Sequence, residues 1–332
     1  MPKSIKIQVI KRATLSKGGP VLFAIVRNES YFLPFFFPHY RSLGVENFLI
    51  YDDNSDDATL DFLHAQPDCL VIGSNRNFGD TFGTDANNVP RRLGAYLKES
   101  LPEQLFRGRW VLTVDADEFL ILPPGCADLV KLTGILDGIG QPYVTAPMVD
   151  FYAETLDDRN YSRTVSPFAA NPHFDVGPYY VWQGGVVPSR PAGVPGGVHL
   201  RLLRMLRERH PEQISLIYGN HPVTIPRSWK VPLLKHGFGI TRINDHEISV
   251  PPSSDLAAVL AHFKFHPELD AKIERALKEG QYYNRSMQYL FLQAVTQLLG
   301  RERLVTGATR RFAGAPSLEQ AGFMRGLSST GV

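Results

Sequence analysis

The sequence has few cysteines and no strong excess of charge. Its 332 residues include two cysteines, and the formal net charge at pH 7 is +2. Cys69 and Cys126 lie in or beside apolar segments, so we expect buried free thiols in a reducing compartment. Two cysteines cannot form a structural zinc site unaided. The small net charge gives no support for nucleic-acid binding.

Long apolar runs and glycine-rich phosphate loops are also missing. No stretch approaches the roughly 20 apolar residues of a membrane-spanning helix, and residues 1–12 lack the apolar region of a signal peptide. We therefore expect a cytoplasmic protein. Neither G-x-G-x-x-G nor G-x-x-x-x-G-K-[ST] occurs, which argues against dinucleotide-binding and P-loop enzymes.

Strands alternate with helices over the first 150 residues. Apolar runs predict strands at 21–26, 47–51, 69–72, 110–114 and 143–149. Helices are predicted between them at 28–43, 57–65, 90–106 and 127–136. This alternation predicts an α/β fold with a mainly parallel central sheet flanked by helices.

The second half of the chain has a weaker pattern. Residues 150–197 are irregular, and short strand-like segments follow at 199–205, 214–218, 231–234 and 240–243. A helix is predicted at 267–279, ending at Gly280, because glycine favours the position after a helix. The apolar residues of 287–298 recur at helical spacing and predict a second C-terminal helix.

Three carboxylates directly follow the fourth predicted strand. The apolar run Trp110–Val114 ends at Asp115, Asp117 and Glu118. Open α/β sheets bind ligands at the carboxyl ends of their strands. Clustered carboxylates there would suit a hard cation bound together with a diphosphate. A solvated acidic turn is the alternative reading of so short a motif.

Two further predicted strands end in polar residues. Arg27, Asn28 and Glu29 follow the first strand, and the acidic run D-D-N-S-D-D follows the second at 52–57. Because parallel strands present their carboxyl ends at one edge, these groups should lie near the carboxylates of the fourth strand. We predict a nucleotide site without a glycine-rich loop.

The acidic run at 52–57 has two simpler readings. An EF-hand fails, because its sixth and twelfth positions would be Asp57 and Leu63 rather than glycine and a bidentate acid. Ser55 or Asp56 could instead cap the following helix, which would explain one of these residues but not the whole run.

An ordered set of motifs extends from about residue 20 to residue 300. They are V-L-F-A-I-V-R-N-E (21–29), L-G-V-E-N-F-L-I-Y-D-D-N-S-D-D-A-T (43–59), W-V-L-T-V-D-A-D-E-F-L (110–120), M-V-D-F-Y (148–152), P-H-F-D-V-G (172–177), G-G-V-H-L-R (196–201), K-V-P-L-L-K (230–235) and A-H-F-K-F (261–265). In this order they resemble family 2 glycosyltransferases, most closely the bacterial branch similar to family 92. The resemblance implies the GT-A fold.

The resemblance also assigns roles to individual residues. Asp53 matches the acid that contacts the nucleotide base, typically uracil. Asp115 and Asp117 match the D-x-D acids, of which the first faces the ribose and metal and the second coordinates Mn²⁺ or Mg²⁺ at the donor diphosphate. His262 matches a histidine that completes the metal shell, and Lys264 a lysine that meets the diphosphate, roles that suit imidazole and ammonium chemically.

Several other assignments stay open. His246 is an alternative to His262 as the metal ligand, and a hydrogen-bonded core histidine is the ordinary reading of each. Arg76 and Arg91 could contact phosphate, although surface arginines usually have no specific role. We also expect Arg27, Asn28 and Glu29 to belong to the donor site.

The resemblance implies inversion at the anomeric carbon, with a carboxylate as the general base. Asp150, at the end of a predicted strand, is the first candidate, and Asp175 is the second. Asp245 and Glu247 are further options. A salt bridge or a turn cap is the alternative role for each of them.

The implied domain plan has one main unit. Residues 21–304 would form a single GT-A domain, between an N-terminal extension (1–20) and a flexible tail (305–332). Within it we expect a nucleotide-binding half (21–150), a donor-sugar and acceptor half (151–266) and C-terminal helices (267–304).

One segment departs from the family pattern. Relatives carry an acid and a tryptophan in the first helix, whereas here Phe35 stands at the position of the acid and Pro38 should interrupt the helix. The cluster Phe32, Phe35, Phe36 and Phe37 could contact a membrane surface or a partner subunit, with core packing as the default expectation.

The sequence thus predicts a metal-dependent, inverting glycosyltransferase at the inner side of the membrane or free in the cytoplasm. Its expected partners are a nucleotide-sugar donor, for which UDP is our choice, and a glycan or lipid-linked saccharide acceptor, but no nucleic acid. A catalytically silent sugar-nucleotide or glycan-binding protein is the main alternative. A sugar nucleotidyltransferase is less favoured, because a glycine-rich, basic N-terminal loop is absent.

Overall fold

A computed structural model describes residues 5–84, 90–176, 196–219, 228–244, 246–250, 258–280, 282 and 286–324. The strands are β1 (Gln8–Lys11), β2 (Val21–Val26), β3 (Asn47–Asp52), β4 (Cys69–Gly73), β5 (Thr81–Thr84), β6 (Pro90–Arg92), β7 (Trp110–Thr113), β8 (Glu118–Ile121), β9 (Tyr143–Asp150), β10 (His173–Asp175), β11 (Trp229–Lys235), β12 (Arg242–Asn244), β13 (Glu247–Ile248), β14 (Val259–His262) and β15 (Thr309–Arg311). The helices are α1 (Leu33–Ser42), α2 (Thr59–His64), α3 (Leu93–Leu105), α4 (Leu129–Gly138), α5 (Pro167–Ala170), α6 (Gly197–Arg209), α7 (Pro211–Tyr218), α8 (Leu269–Glu279), α9 (Met287–Leu298) and α10 (Ala315–Gln320).

Nine strands form one mixed sheet in the order β1-β4-β3-β2-β7-β11-β9-β14-β8. Strands β4, β3, β2 and β7 are mutually parallel neighbours, and β14 is parallel to β9. Strands β1, β11 and β8 run in the opposite direction. The predicted α/β class is confirmed, with a sheet that is parallel in its first half and mixed in its second.

Each face of the sheet packs against a hydrophobic core. Because successive side chains of a strand point to opposite faces, Leu22 belongs to the core that includes α1, and Phe23 belongs to the core that includes Leu97 of α3. Strands covered on both sides read as continuous apolar runs. This explains why β2, β3 and β7 could be placed from sequence.

The aromatic cluster lies at the start of α1, with Phe32 directly before the helix. Phe32, Phe36 and Phe37 are fully buried in the core, so these three rings are not available to a membrane or partner surface. The helix also continues through Pro38, which contradicts the predicted interruption. Proline removes one helical hydrogen bond, and the burial of the rings on either side of it holds the helix together.

Two segments that were predicted as strands are helices. Residues 199–205 lie in α6 and residues 214–218 in α7. In α6 the buried side chains are Val198, Leu202, Leu203 and Leu206, which recur at helical spacing. Helix α8 ends, as predicted, at Gly280, which adopts a left-handed φ of 62°.

Both ends of the chain contribute ordered elements. Strand β1, within the predicted N-terminal extension, pairs with β4 at the edge of the sheet. Within the predicted flexible tail, β15 pairs with β10, and Phe323 and Met324 are buried in the core. No helix in the described ranges is long and apolar enough to cross a membrane.

Candidate functional site

The carboxyl ends of the parallel strands open into a cleft of about 820 Å³. Its walls include Arg27 after β2, Asp53 after β3, Asp117 after β7 and Asp150 at the end of β9. Helix α8 contributes Lys272 to the opposite wall. Residues at the carboxyl edge of the sheet therefore line one cavity. Open α/β sheets commonly place their ligand sites at this edge.

Three buried groups in this cleft form a candidate cation site. The side chains of Asp117, Glu118 and His262 each offer a ligand atom, and these atoms lie within 4.8 Å of one another. The pairing of β8 with β14 sets His262 opposite Glu118, and the N–H of Phe263 donates to the carbonyl of Asp117 at 2.9 Å. Two carboxylates and an imidazole suit Mn²⁺ or Mg²⁺, with imidazole favouring the transition metal.

The surroundings of Asp117 favour its ionised carboxylate. Burial alone would raise the pKa of Asp117, but the positive charge of Lys264, at 3.7 Å, and further cationic groups lower it well below its usual value. Asp117 Oδ2 also lies 3.7 Å from His262 Nε2, which is too long for a direct hydrogen bond. A cation between these two atoms would fit both.

The carboxylate of Asp115 forms ion pairs with two lysines. Its Oδ1 is 2.8 Å from Lys98 Nζ, and its Oδ2 is 2.8 Å from Lys230 Nζ. Burial opposes ionisation, but the charges of Lys230 and Lys98 hold the pKa of Asp115 well below its usual value. Among the described residues, the group that could bind a metal includes Glu118 and not Asp115.

Glu118, one of the three clustered carboxylates, has no counterpart in the D-x-D motif but belongs to the candidate cation group. Its Oε1 lies 2.5 Å from Lys230 Nζ, and its other oxygen accepts the N–H of Asp115 at 3.1 Å. Burial raises the pKa of Glu118, and the charge of Lys230 partly offsets this effect. Its position beside D-x-D was the only sequence signal, since its pairing with Lys230 depends on the fold.

Asp53 lies deep in the nucleotide end predicted for the cleft. Its side chain is fully buried, and Oδ1 accepts the N–H of Phe78 at 2.6 Å. Oδ2 has no hydrogen-bond partner within the described part of the chain and is 4.0 Å from Arg27 Nη1. Burial raises the pKa of Asp53 to about 7. A buried acceptor without a partner is costly and is suited to a ligand N–H.

Two ion pairs connect the end of β2 with α8. Arg27 binds Glu279 through both terminal nitrogens, at 2.8 and 2.7 Å, and Lys272 Nζ lies 2.8 Å from Glu29 Oε1. Burial raises the pKa of Glu29 to about 7, and Lys272 opposes this shift. Arg27 and Glu29 thus line the cleft but are already paired in this state.

Two predicted donor-binding residues join loops instead. The side chain of Asn28 bonds to Asp56, and the N–H of Asp56 donates to Asn28 Oδ1 at 2.9 Å. Arg76 bonds to Asp80 at 3.3 Å and to the carbonyl of Thr81 at 3.1 Å. Neither Asn28 nor Arg76 is among the described residues that line the cleft.

Asp150, the first candidate base, lines the cleft. Its Oδ1 is 2.6 Å from His262 Nδ1. Asp175 is buried. Arg201 donates to its two oxygens at 2.7 and 3.0 Å, and the Tyr152 hydroxyl donates a further hydrogen bond. Asp175 is not among the described residues that line the cleft.

The remaining candidates lie apart from the cation site. His246 lines the cleft, but its Nδ1 bonds to the carbonyl of Trp229. Arg91 pairs with Glu99. Glu247 accepts a hydrogen bond from Asn244 at 3.0 Å, and Asp245 lies outside the described residues.

Comparison with known proteins does not identify a family. No protein-family model matches the chain, and no curated protein shows significant similarity to it.

Proposed function

We propose that the protein is a metal-dependent, inverting glycosyltransferase of the GT-A fold. It would move a sugar from a nucleoside-diphosphate donor, with UDP as the expected nucleotide, to a hydroxyl group of a glycan or lipid-linked saccharide. The observation that carries the proposal is one cleft with two features. It holds a buried acceptor, Asp53 Oδ2, that has no hydrogen-bond partner among the described residues, and the candidate cation site of Asp117, Glu118 and His262. The mixed α/β sheet is compatible with this fold.

The nucleotide end of the cleft is assigned to Asp53. An ionised Asp53 presents Oδ2 to the imide N–H of a uracil ring, while Oδ1 stays bonded to the backbone of Phe78. Arg27 lies close enough to Asp53 to favour the charged form. A site built to accept a hydrogen bond discriminates strongly against ligands that lack the donor.

The diphosphate end is assigned to Asp117, His262 and Lys264. When bound there, Mn²⁺ or Mg²⁺ would neutralise the diphosphate and stabilise it as a leaving group. Lys264 lies 3.7 Å from Asp117 and can turn its ammonium group to the departing phosphate oxygen. Glu118 would supply a third protein ligand, a carboxylate oxygen, if Lys230 releases it.

The transfer then balances without a redox partner. The acceptor oxygen forms a bond to the anomeric carbon, the bond from that carbon to the diphosphate oxygen breaks, and the nucleoside diphosphate leaves with the bonding electrons. The acceptor proton passes to a base.

Product analysis tests this proposal. Purified protein would be incubated with Mn²⁺, a panel of UDP-sugars and saccharide acceptors, and ³¹P NMR would follow the nucleotide. Release of UDP that requires Mn²⁺ and is lost in Asp117→Asn supports the proposal. Asp61→Asn, an exposed acid on α2, is the control variant and should behave like the wild type.

Other products would support the alternatives. Pyrophosphate formed from UTP and a sugar phosphate would indicate a nucleotidyltransferase. Mn²⁺-dependent UDP binding without turnover on any donor would favour the silent binding protein.

A further inference from the structure

Asp150 and His262 form a close pair at the cation end of the cleft. Strand β9 runs parallel to β14, and the register of the two strands sets Asp150 beside His262. His262 Nδ1 lies 2.6 Å from Asp150 Oδ1. The His262 side chain is 6% exposed and the Asp150 side chain 17%. The backbone is fixed as well, since the N–H of Phe151 donates to the carbonyl of His262 at 2.9 Å.

This contact determines which imidazole nitrogen carries the proton. A carboxylate accepts hydrogen bonds, so the nitrogen that faces Asp150 must be the donor. In a neutral imidazole the other nitrogen, Nε2, then has a free lone pair. A carboxylate that does not itself bind the metal commonly orients a metal-binding histidine through a hydrogen bond of this kind.

The free lone pair is directed to the candidate cation site. Nε2 lies 3.7 Å from Asp117 Oδ2, so in the neutral Nδ1–H tautomer two acceptor atoms face each other. Such an arrangement is repulsive when empty and favourable around a cation. The pair Asp150–His262 therefore acts on the same site as Asp117.

We propose that Asp150 is a positioning residue, which holds His262 as the Nδ1–H tautomer with Nε2 directed to the divalent cation. It is not the base that deprotonates the acceptor. This inference rests on the metal site of the proposed function. Of the two first candidate bases, Asp150 then has another role, and both oxygens of Asp175 are bound by Arg201; Asp245 and Glu247 stay candidates from the sequence.

The tautomer can be measured without a metal. Full-length protein labelled with ¹⁵N in its histidines would be studied by two-bond ¹H–¹⁵N NMR at a pH where the imidazole is neutral, with His262→Gln to assign the signal. We expect the wild type to show Nδ1–H, Asp150→Asn to keep it through the amide oxygen, and Asp150→Ala to shift toward Nε2–H. A wild-type Nε2–H tautomer would overturn the inference.

Metal affinity gives a second, independent readout. Electron paramagnetic resonance of free Mn²⁺ should show affinity about 10–100-fold lower in Asp150→Ala, with partial rescue in Asp150→Asn. The exposed control Asp61→Asn should match the wild type. Thermal unfolding of each variant would show whether it is folded, and the milder asparagine variant keeps the test decisive if the alanine variant is not.

The outcomes separate this inference from the proposed function. Wild-type Mn²⁺ affinity in both Asp150 variants, with turnover abolished, would mean that Asp150 is the base and would overturn the inference. If the wild type and Asp117→Asn both fail to bind Mn²⁺, the metal site of the proposed function fails. The metal-free tautomer measurement still decides whether Asp150 positions His262.

Discussion

Replacing Asp53 by asparagine should make the stability of the protein less dependent on pH. The Asp53 side chain is fully buried, with one oxygen bonded to the N–H of Phe78 and the other without a hydrogen-bond partner in the described ranges. Burial raises its pKa from 3.8 to about 7. Asparagine has the same shape and can keep the bond to Phe78, but it never has to carry a buried charge.

The sign and size of the effect follow from proton linkage. Between pH 4 and pH 7 the folded protein keeps the Asp53 proton, whereas the unfolded chain has released it, so folding stability falls as pH rises through this window. Each pH unit contributes about 1.4 kcal/mol. From pH 5 to pH 8, the wild type should therefore lose about 2–3 kcal/mol more stability than Asp53→Asn.

Urea unfolding at pH 5 and pH 8 measures this difference. The free energy of unfolding of both proteins would be obtained at each pH, and the change in the variant would be subtracted from the change in the wild type. Other titrating groups, including Glu29, cancel in that subtraction. Equal pH dependence in the two proteins would contradict the raised pKa of Asp53, because it would mean that Asp53 titrates like an exposed acid.

Three further predictions concern ion pairing, packing and the metal. Asp175→Asn should destabilise the protein by about 3 kcal/mol, because it removes the negative charge from a largely buried ion pair with Arg201, while Mn²⁺ affinity is kept; a loss of affinity would contradict the structural role. Leu112→Ala should cost about 2–5 kcal/mol in urea unfolding, but Leu105→Ala, 53% exposed, less than about 1 kcal/mol; equal losses would contradict the assigned burial. Mn²⁺ at 100 times its dissociation constant should stabilise the wild type by about 2.7 kcal/mol, and an equal gain in Asp117→Asn would contradict the site.

The parallel half of the sheet could be predicted because its signal is local. Strands β2, β3 and β7 are buried on both faces, and continuous apolar runs marked each of them to within one residue. The order of the strands could not be read in this way. It depends on contacts between distant segments, such as β11, which inserts between β7 and β9.

The site was predictable in position and less so in detail. Asp53, Asp117, Asp150 and His262 line one cleft, because each lies at or just after the end of a strand at the same edge. The partners of these acids come from distant elements. Lys98 in α3 and Lys230 in β11 bind Asp115, and no local pattern could have indicated that this acid is occupied while Glu118 joins the cation group.

The cleft should bind a nucleoside diphosphate through a divalent cation. Calorimetric titration of UDP, with and without Mn²⁺, into the wild type and Asp117→Asn tests it most directly. UDP binding to the wild type should require Mn²⁺, and it should be lost in Asp117→Asn. Equal binding, or none, in all four titrations would contradict it.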